Sequence, residues 1–345
     1  MRVRRLPLLL AAAALALTGC TTGSTGSTSS GDGDVSSSAA EADSGAFPVT
    51  IKHAFGSTTV TSEPKRVATL GWSDQDMAVS LGVVPVGSTK ITYGGNEAGS
   101  TDFFDAAVKE LGGAAPTRYD DTDGIPFAEV AKVRPDLILA TNSGLTKADY
   151  DKLSKIAPVV AYPGKPFLTP WRTSLETVGQ ALGRAEKADE VEDATEDEIE
   201  AASEKHPDLD GTTFMLTYLS TTDLSTVGIY GSDDTRVAFL RDFGLEDAPS
   251  VLSVVKPGAF YGTVSAERSA GLQADVVLAF TDEGGSLRTF AEHPLIGKIP
   301  AFKDKHVYTE DDTVVSEALT NPTPLSIPVV IDQVLPKLDR AVKGS

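Results

Sequence analysis

The segments 129–140, EVAKVRPDLILA, and 267–279, ERSAGLQADVVLA, decide the fold of this chain. In both, a short helical pattern leads through a polar turn with an aspartate into an apolar run. Short apolar runs bounded by Gly, Pro or charged residues are typical of strands that are buried on both faces of a parallel sheet. The two matching segments therefore predict two α/β lobes built on a similar plan.

Apolar runs and helical patterns alternate along both halves of the chain. The predicted strands are 67–70, 84–87, 137–140 and 159–162 in the first half, and 213–218, 276–280 and 306–309 in the second. The predicted helices are 74–81, 106–111, 127–133, 147–156, 234–243, 266–271 and 324–337. This alternation favours an α/β fold in each half.

A long helical pattern, 168–205, lies between the two halves. Its apolar residues recur at spacings of three and four until the segment becomes acidic after Ala188. We expect a single long helix that joins an N-terminal lobe, residues 47–167, to a C-terminal lobe, residues 206–345. A bent helix or two consecutive helices fit the same pattern.

The first 46 residues predict export and anchoring. Three arginines precede an apolar stretch that is too short to span a bilayer, which is typical of a signal peptide, here residues 1–19. The stretch ends in LTGC, which resembles the lipobox of bacterial lipoproteins, so Cys20, the only cysteine, is the expected lipid attachment point. Residues 20–46 are rich in Ser, Thr and Gly and predict a flexible linker. We expect a protein lipid-anchored to the extracytoplasmic face of the cell membrane.

The charge of the chain argues against one class of partner. The formal net charge is -19. Removal of residues 1–19 takes away three arginines and no acidic residue, which lowers it to -22. A chain of this charge repels nucleic-acid phosphates, so we expect no nucleic-acid partner.

Several short motifs, in their order and spacing, resemble the bacterial substrate-binding lipoproteins that serve ABC importers of iron–siderophore complexes and vitamin B12. The motifs are EPKRVATLGWSDQD at 63–76, LGVVPVG at 81–87, VRPDLILA at 133–140, IAPVV at 156–160, TVSAER at 263–268, ADVVL at 274–278 and PLSIP at 324–328. The resemblance covers residues 47–343. The segment around Trp72 is most similar to the ferric-siderophore branch.

The resemblance implies the class III periplasmic-binding-protein fold, which has two Rossmann-like α/β lobes joined by a single long helix. Ligand lies in a shallow cleft between the lobes. It also implies a monomeric binding protein, with no catalytic residues, no cofactor and no directly bound metal. Such a protein delivers a ferric siderophore to an ABC transporter permease.

Candidate ligand contacts follow from the chemistry of such a cargo. A ferric siderophore is bulky and partly apolar, so its cleft needs aromatic walls and a few polar groups for the chelating oxygens. Loops that follow parallel strands supply them. The candidates in this chain are Trp72, Tyr93, Arg118, Asn142, Ser143, Tyr218, Tyr230, Arg236, Tyr261 and Arg288. We expect Arg118 in a polar loop and Tyr261 in a Gly-rich turn beside Phe260. Any one aromatic among them could instead belong to the core.

Two glutamates are candidates for permease docking. The resemblance implies one acidic residue in each lobe that pairs with permease arginines. Glu267, in VSAER, occupies this position in the second lobe. In the first lobe the aligned position is Ala128, with Glu129 beside it, so Glu129 is the candidate there.

Three other functions are weighed against siderophore binding. A cell-envelope acyl enzyme would use the Ser-x-x-Lys pattern at 62–65, but Pro64 disfavours the helical turn that this chemistry needs. A bare-metal binder would need clustered ligands, and the four histidines are widely spaced in the sequence. Haem or cobalamin leaves no residue signature that separates it from a siderophore, so this alternative stays open.

Overall fold

The computed structural model describes residues 42–282 and 285–344. The predicted signal peptide, Cys20 and the linker up to residue 41 lie outside the described residues. Within the described part, no helix is both long and apolar enough to cross a membrane. The first elements are two antiparallel strands that the sequence did not predict, β1 (Val49–His53) and β2 (Gly56–Val60).

A five-stranded parallel sheet forms the first lobe. Its strands are β3 (Val67–Thr69), β4 (Gly87–Thr89), β5 (Thr117–Tyr119), β6 (Leu137–Ala140) and β7 (Val159–Ala161). The helices that alternate with them are α1 (Asp74–Ser80), α2 (Asp102–Glu110), α3 (Phe127–Lys132) and α4 (Lys147–Leu153). The strand order is β5-β4-β3-β6-β7. Every residue of the two central neighbours β3 and β6 is buried, which explains their continuous apolar sequence.

Two helices, not one continuous helix, connect the sheets: α5 (Trp171–Leu182) and α6 (Ala185–Lys205). Gly183 ends α5 in the left-handed conformation, at φ 68°. The side chain of Arg184 is then buried, where its Nη1 donates a hydrogen bond of 2.6 Å to the carbonyl of Leu81. This break replaces the single helix expected over 168–205 with the two-helix alternative.

The second sheet is mixed. Its strands are β8 (Thr213–Leu219), β9 (Thr226–Tyr230), β10 (Glu246–Asp247), β11 (Tyr261–Ser265), β12 (Val276–Thr281) and β13 (Val307–Glu310). They follow the order β11-β9-β8-β12-β13, and β10 also pairs with β8. Strands β8, β12 and β13 are parallel, whereas β9 and β11 are antiparallel to their neighbours. The second lobe therefore repeats the plan of the first only in its parallel part.

The helices of the second lobe are short. They are α7 (Thr235–Arg241), α8 (Pro249–Val254), α9 (Leu287–Ala291), α10 (Pro300–Asp304), α11 (Thr313–Thr320), α12 (Ile327–Gln333) and α13 (Leu335–Val342). Residues 266–271 form a 3-10 helix, and the helix predicted over 324–337 is divided between α12 and α13.

The core is continuous from one sheet to the other. One cluster of buried side chains includes Leu139 of the first sheet, Leu175 of α5 and Leu278 of the second sheet. A polar contact also joins the two parts, since Thr323 Oγ1 donates a hydrogen bond of 3.0 Å to Asp76 Oδ2. The two sheets therefore share one core and are also joined by a buried polar contact.

Candidate functional site

The loops after β3 and β6 meet at the carboxyl edge of the first sheet. The amide of Trp72, just after β3, donates a hydrogen bond of 3.0 Å to the carbonyl of Asn142, just after β6. The indole of Trp72 remains 43% exposed. The backbone thus places an aromatic ring at this edge of the sheet, as expected for an α/β ligand site.

A buried carboxylate fixes these two loops. Asp74 accepts hydrogen bonds from the backbone amide of Thr141, at 3.1 Å, and from its hydroxyl. Gly71 leaves room for this carboxylate, because a Cβ at Gly71 would lie 1.9 Å from Asp74 Oδ2. Burial raises the pKa of Asp74 to about 6, although the hydrogen bonds from Thr141 act in the opposite direction.

A second ring, which the sequence did not predict, extends the surface of Trp72. Phe167 stacks on it at a ring-centroid distance of 4.4 Å. The backbone of Phe167 has a φ of 58°, which is uncommon for a residue other than glycine. Gly144 lies against the ring, since a Cβ there would be 2.3 Å from Phe167 Cζ. The "N-terminal wall" below means Trp72, Tyr93 and Phe167.

The second sheet presents its own aromatic surface at the ends of its strands. Tyr230, at the end of β9, lies 5.2 Å from the ring of Tyr261 and 6.3 Å from that of Phe280. Tyr218, near the end of β8, donates a hydrogen bond to Asp282. The "C-terminal wall" below means Tyr218, Tyr230, Arg236, Phe260 and Phe280.

Arg236 is the cation of the C-terminal wall, and a neighbouring acid holds it in place. Its Nε and Nη2 each donate a hydrogen bond of 2.7 Å to the two carboxylate oxygens of Asp234. The guanidinium also lies 4.0 Å from the centre of the Tyr230 ring. Burial by itself would lower the pKa of Arg236, but the hydrogen bonds and charge of Asp234 outweigh it and raise the pKa.

Two further buried acids lie near the floor of the site. Glu317 of α11 accepts a hydrogen bond of 2.8 Å from Asn321 Nδ2. Burial raises the pKa of Glu317 to about 8, and the nearby charge of Asp76 acts in the same direction. Burial likewise raises the pKa of Asp76 to about 7. Burial therefore favours the protonated, uncharged form of Glu317 at neutral pH.

These groups enclose a cleft of about 430 Å³. Besides the two walls, its lining residues are Thr89, Lys90, Ile91, Thr92, Asp121, Asn142, Leu168, Asp234, Thr235, Glu317, Thr320 and Asn321. The surface is aromatic and apolar, with isolated polar groups, which is the usual composition of a small-molecule site.

Six of the ten predicted ligand residues line this cleft: Trp72, Tyr93, Asn142, Tyr218, Tyr230 and Arg236. Four others lie outside the lining: Arg118, Ser143, Tyr261 and Arg288. Tyr261 packs behind Tyr230, and the hydroxyl of Ser143 donates to the carbonyl of Ala140 at 2.9 Å.

Arg118 is not in a loop, as the sequence analysis expected, but in strand β5. Its Nη1 donates a hydrogen bond of 2.6 Å to Ser88 Oγ, and its Nη2 donates to Ser100 Oγ. The guanidinium lies 4.8 Å from the centre of the Phe104 ring. These partners hold the side chain against its own lobe.

Arg288 lies on α9 and points into solvent. Its side chain is 84% exposed, and its Nε donates a hydrogen bond of 2.8 Å to Glu292 one turn along the helix. Both docking candidates are exposed as well: Glu129 on α3 and Glu267 at the start of a 3-10 helix.

Several lining residues were missed by the sequence analysis. Glu317 and Asn321 lie one helical turn apart in the segment TVVSEALTN at 313–321, and this i, i+4 polar pair was a usable signal. Phe167, in the segment PGKPFL, carried no periodic signal. Across residues 42–282 and 285–344, no three His, Cys, Asp or Glu side chains are grouped so that they could hold a metal ion.

Comparison with known proteins places this geometry in context. A family model described as periplasmic binding protein matches residues 67–314. A sequence comparison with functionally curated proteins gives no match.

Solved structures give a close match over the whole folded part. The iron uptake ABC transporter substrate-binding protein PiaA from Streptococcus pneumoniae is 37% identical, with a TM-score of 0.77 over 86% of this chain and 100% of that one. Its complex with ferrichrome gives 38% identity and a TM-score of 0.80, over 86% and 99% of the two chains. A periplasmic solute binding protein from Mycobacterium smegmatis is 29% identical, with a TM-score of 0.72 over 85% and 98%.

Proposed function

Because the chain belongs to the periplasmic binding protein family, we propose that it captures a ferric siderophore in the cleft and delivers it to the permease of an ABC importer. The observation that carries this proposal is the cleft itself, which has two aromatic walls and one oriented arginine, Arg236, in the C-terminal wall. An iron chelate offers an apolar outer surface to the rings and chelating oxygens to the arginine.

The solved relatives support the choice of cargo. The Streptococcus pneumoniae protein, 38% identical over 86% of this chain, was solved in complex with ferrichrome. A cleft of about 430 Å³ suits the contact surface of a compact chelate. Haem or cobalamin is the alternative cargo for the same fold, and it is included below as an outcome of the test.

The six lining residues have separate roles in this proposal. Trp72, Tyr93, Tyr218 and Tyr230 provide ring surface for the ligand. Arg236 donates hydrogen bonds to the oxygens that chelate the iron, and Asn142 contributes a polar group at the floor. The other four predicted residues do not reach the cleft; Arg118 and Tyr261 act as positioning residues that support β5 and Tyr230.

The permease would bind through one exposed acid on each lobe. We assign this role to Glu129 and Glu267, both of which are exposed. Charge reversal by Glu267→Lys should abolish transport in cells while siderophore binding by the purified protein is unchanged. Loss of binding in the same variant would contradict a docking role.

The location follows from the first residues of the chain. We propose that residues 1–19 direct export, that Cys20 carries the lipid, and that residues 20–46 link a monomeric folded part to the outer face of the membrane. Labelling with a radioactive fatty acid should mark the wild type and not Cys20→Ala, and the variant should leave the membrane fraction. Equal labelling of both proteins would contradict this anchor.

The cargo is tested by fluorescence titration of residues 42–345. The chain has two tryptophans, and Trp171 is only 5% exposed, so Trp72 is the expected reporter. The panel contains ferric hydroxamates, ferric catecholates, ferric citrate, haem and cobalamin, together with the iron-free chelators. We expect saturable quenching by a ferric siderophore, and loss of that quenching in Trp72→Phe.

Other outcomes have definite meanings. Binding of haem or cobalamin alone would keep the transporter role and change the cargo. Absence of binding to every member of the panel would contradict the proposed function.

A further inference from the structure

The charged side chains that line the cleft cancel one another. Arg236 is opposed by Asp234 within hydrogen-bond distance, and the lining also contains one lysine, Lys90, and a further acid, Asp121. The remaining acid, Glu317, is buried, and burial raises its pKa to about 8, which favours its uncharged form at neutral pH. The described lining therefore offers no surplus positive charge to a bound ligand.

This balance separates the chemical classes of ferric complex. Three hydroxamates neutralise iron(III), whereas three catecholates leave the complex with a charge of about -3 by simple charge counting. A multiply charged anion that loses its water in an aromatic cleft needs matching positive groups. The lining does not provide them.

The hydrogen-bonding edge of Arg236 is already in use. Its Nε and Nη2 form the planar fork that binds a carboxylate or another bidentate anion, and this fork is filled by Asp234. Only the outer hydrogens of the guanidinium remain for a ligand. The Nη1 and Nη2 hydrogens can still donate to chelating oxygens, but a multiply charged anion that binds there meets a guanidinium whose charge Asp234 already balances.

The floor of the cleft presents unpaired acceptors. Asn321 Nδ2 donates to Glu317, which leaves Asn321 Oδ1 buried without a hydrogen-bond partner. Asn142 Oδ1 is likewise buried and unpartnered. These side chains are 8% and 5% exposed, and both line the cleft. A ligand that carries N–H or O–H donors would satisfy these acceptors.

Resting on the proposed function, we infer that the cleft selects ferric complexes of zero or positive net charge, the trihydroxamate class, and that Asp234 enforces this selection. Asp234 does so in two ways. It cancels the charge of Arg236, and it occupies the Nε/Nη2 edge, one of the two edges through which the guanidinium could bind an anion.

The variant that tests Asp234 conserves its structural role. Asp234 is the N-cap of α7, where its side chain accepts a hydrogen bond from the amide of Arg236. Asparagine caps helices as well as aspartate does, so Asp234→Asn removes the charge and keeps the cap. Asp233→Asn is the matched control, since it removes the same charge from a neighbour that does not line the cleft.

The probes are a neutral cyclic ferric trihydroxamate, a linear ferric trihydroxamate that carries an ammonium group, and a trianionic ferric triscatecholate. Dissociation constants are measured for each by Trp72 quenching. We expect the wild type to prefer both hydroxamates over the catecholate by roughly a hundredfold or more. Asp234→Asn should reduce the ratio of the catecholate to the hydroxamate dissociation constant by roughly tenfold. Asp233→Asn should leave this ratio within about twofold of the wild-type value.

The results also distinguish this inference from the proposed function. Wild-type protein that binds the triscatecholate as tightly as the hydroxamates overturns the charge selection and leaves siderophore binding intact. If Asp234→Asn and Asp233→Asn change the ratio of the catecholate to the hydroxamate dissociation constant equally, the role of Asp234 is overturned. No binding of any ferric complex overturns the proposed function itself. The charge selection is tested on the wild-type protein alone, through its ratio of catecholate to hydroxamate dissociation constants. This measurement does not depend on the folding of a variant.

Discussion

Trp72 on the N-terminal wall and Tyr230 on the C-terminal wall line the same cleft, but different interactions hold them in place. Trp72 is positioned by a backbone hydrogen bond to Asn142 and by stacking on Phe167. Tyr230 lies under the guanidinium of Arg236, which is bound in turn to Asp234. On the proposed function, the N-terminal wall offers ring surface to the ligand, whereas the C-terminal wall adds one oriented hydrogen-bond donor, Arg236.

This difference has its origin in the two sheets. The first sheet is wholly parallel, so its loops leave from the same edge, and the loops after β3, β4 and β7 carry Trp72, Tyr93 and Phe167. The second sheet contains the antiparallel strands β9 and β11, which bring Tyr230 and Tyr261 together at one end. Directed binding by the C-terminal wall should be more sensitive to substitution than ring contact by the N-terminal wall.

The largest effect is expected for Arg236→Ala. The variant loses the hydrogen bonds to the chelating oxygens and leaves the buried Asp234 without its partner, so siderophore affinity should fall by roughly a hundredfold. Fluorescence titration measures the affinity, and a thermal melt checks the fold. Arg241→Ala on the same helix is the control, because Arg241 binds Asp247 outside the cleft. A loss below about threefold in Arg236→Ala would contradict the directing role of this wall.

The buried acids should make stability depend on pH. The folded pKa of Glu317, about 8, is higher than its ordinary value of 4.5, so the folded protein binds more protons than the unfolded chain between these values. The stability that this carboxyl contributes is complete below about pH 4.5 and is lost as the pH rises towards about 8.

Glu317→Gln should therefore flatten the dependence of the unfolding free energy on pH, removing a change of about 3–4 kcal/mol between about pH 5 and pH 8. Urea titrations across this range measure it. Glu292→Gln, which removes an exposed surface carboxylate, should leave the slope unchanged. An identical slope in wild type and Glu317→Gln would show that Glu317 does not titrate in this range.

Trp72→Ala removes the central ring of the N-terminal wall. Because the ring contributes area and no directed hydrogen bond to the ligand, affinity should fall by roughly tenfold, less than for Arg236→Ala. Calorimetry is the measurement, since the fluorescent reporter is lost. Leu252→Ala, which truncates an exposed side chain outside the cleft, is the control. A loss larger than that of Arg236→Ala would reverse the comparison between the walls.

The smallest effect is expected for Gly144→Ala. The added methyl group would lie 2.3 Å from Phe167 Cζ, so the Phe167 ring must move and its stacking on Trp72 weakens. Affinity should fall by roughly threefold, with a shift in the Trp72 emission spectrum. Gly164→Ala, where the added methyl group meets no neighbouring atom, is the control. An unchanged emission spectrum in Gly144→Ala would contradict this supporting role.

The strands that are buried on both faces were predictable from sequence. The runs at Val67, Leu137 and Val276 are apolar because both faces of these strands are covered, and the structure has strands at all three. The antiparallel partners in the second sheet were not predicted. The strand β11 contains the residues YGTVS, which lack a continuous apolar run.

The site was predictable where a residue follows a buried strand. Trp72, Asn142 and Tyr218 were identified in this way, and all three line the cleft. Arg118 was placed in a loop because its neighbours are polar, whereas those neighbours flank an edge strand. Phe167 depends on a positive φ and on contact with Gly144, and neither is visible in local sequence. The break between α5 and α6 had a signal, since Gly183 is a typical helix C-terminal residue.

The most direct test of the central claim is a crystal structure of the protein with a ferric trihydroxamate, with the iron located by its anomalous scattering. The account predicts iron in the cleft, with the chelate against Trp72 and Tyr230 and with Arg236 donating to a chelating oxygen. Iron bound outside this cleft, or a chelate in the cleft that does not contact Arg236, would contradict it.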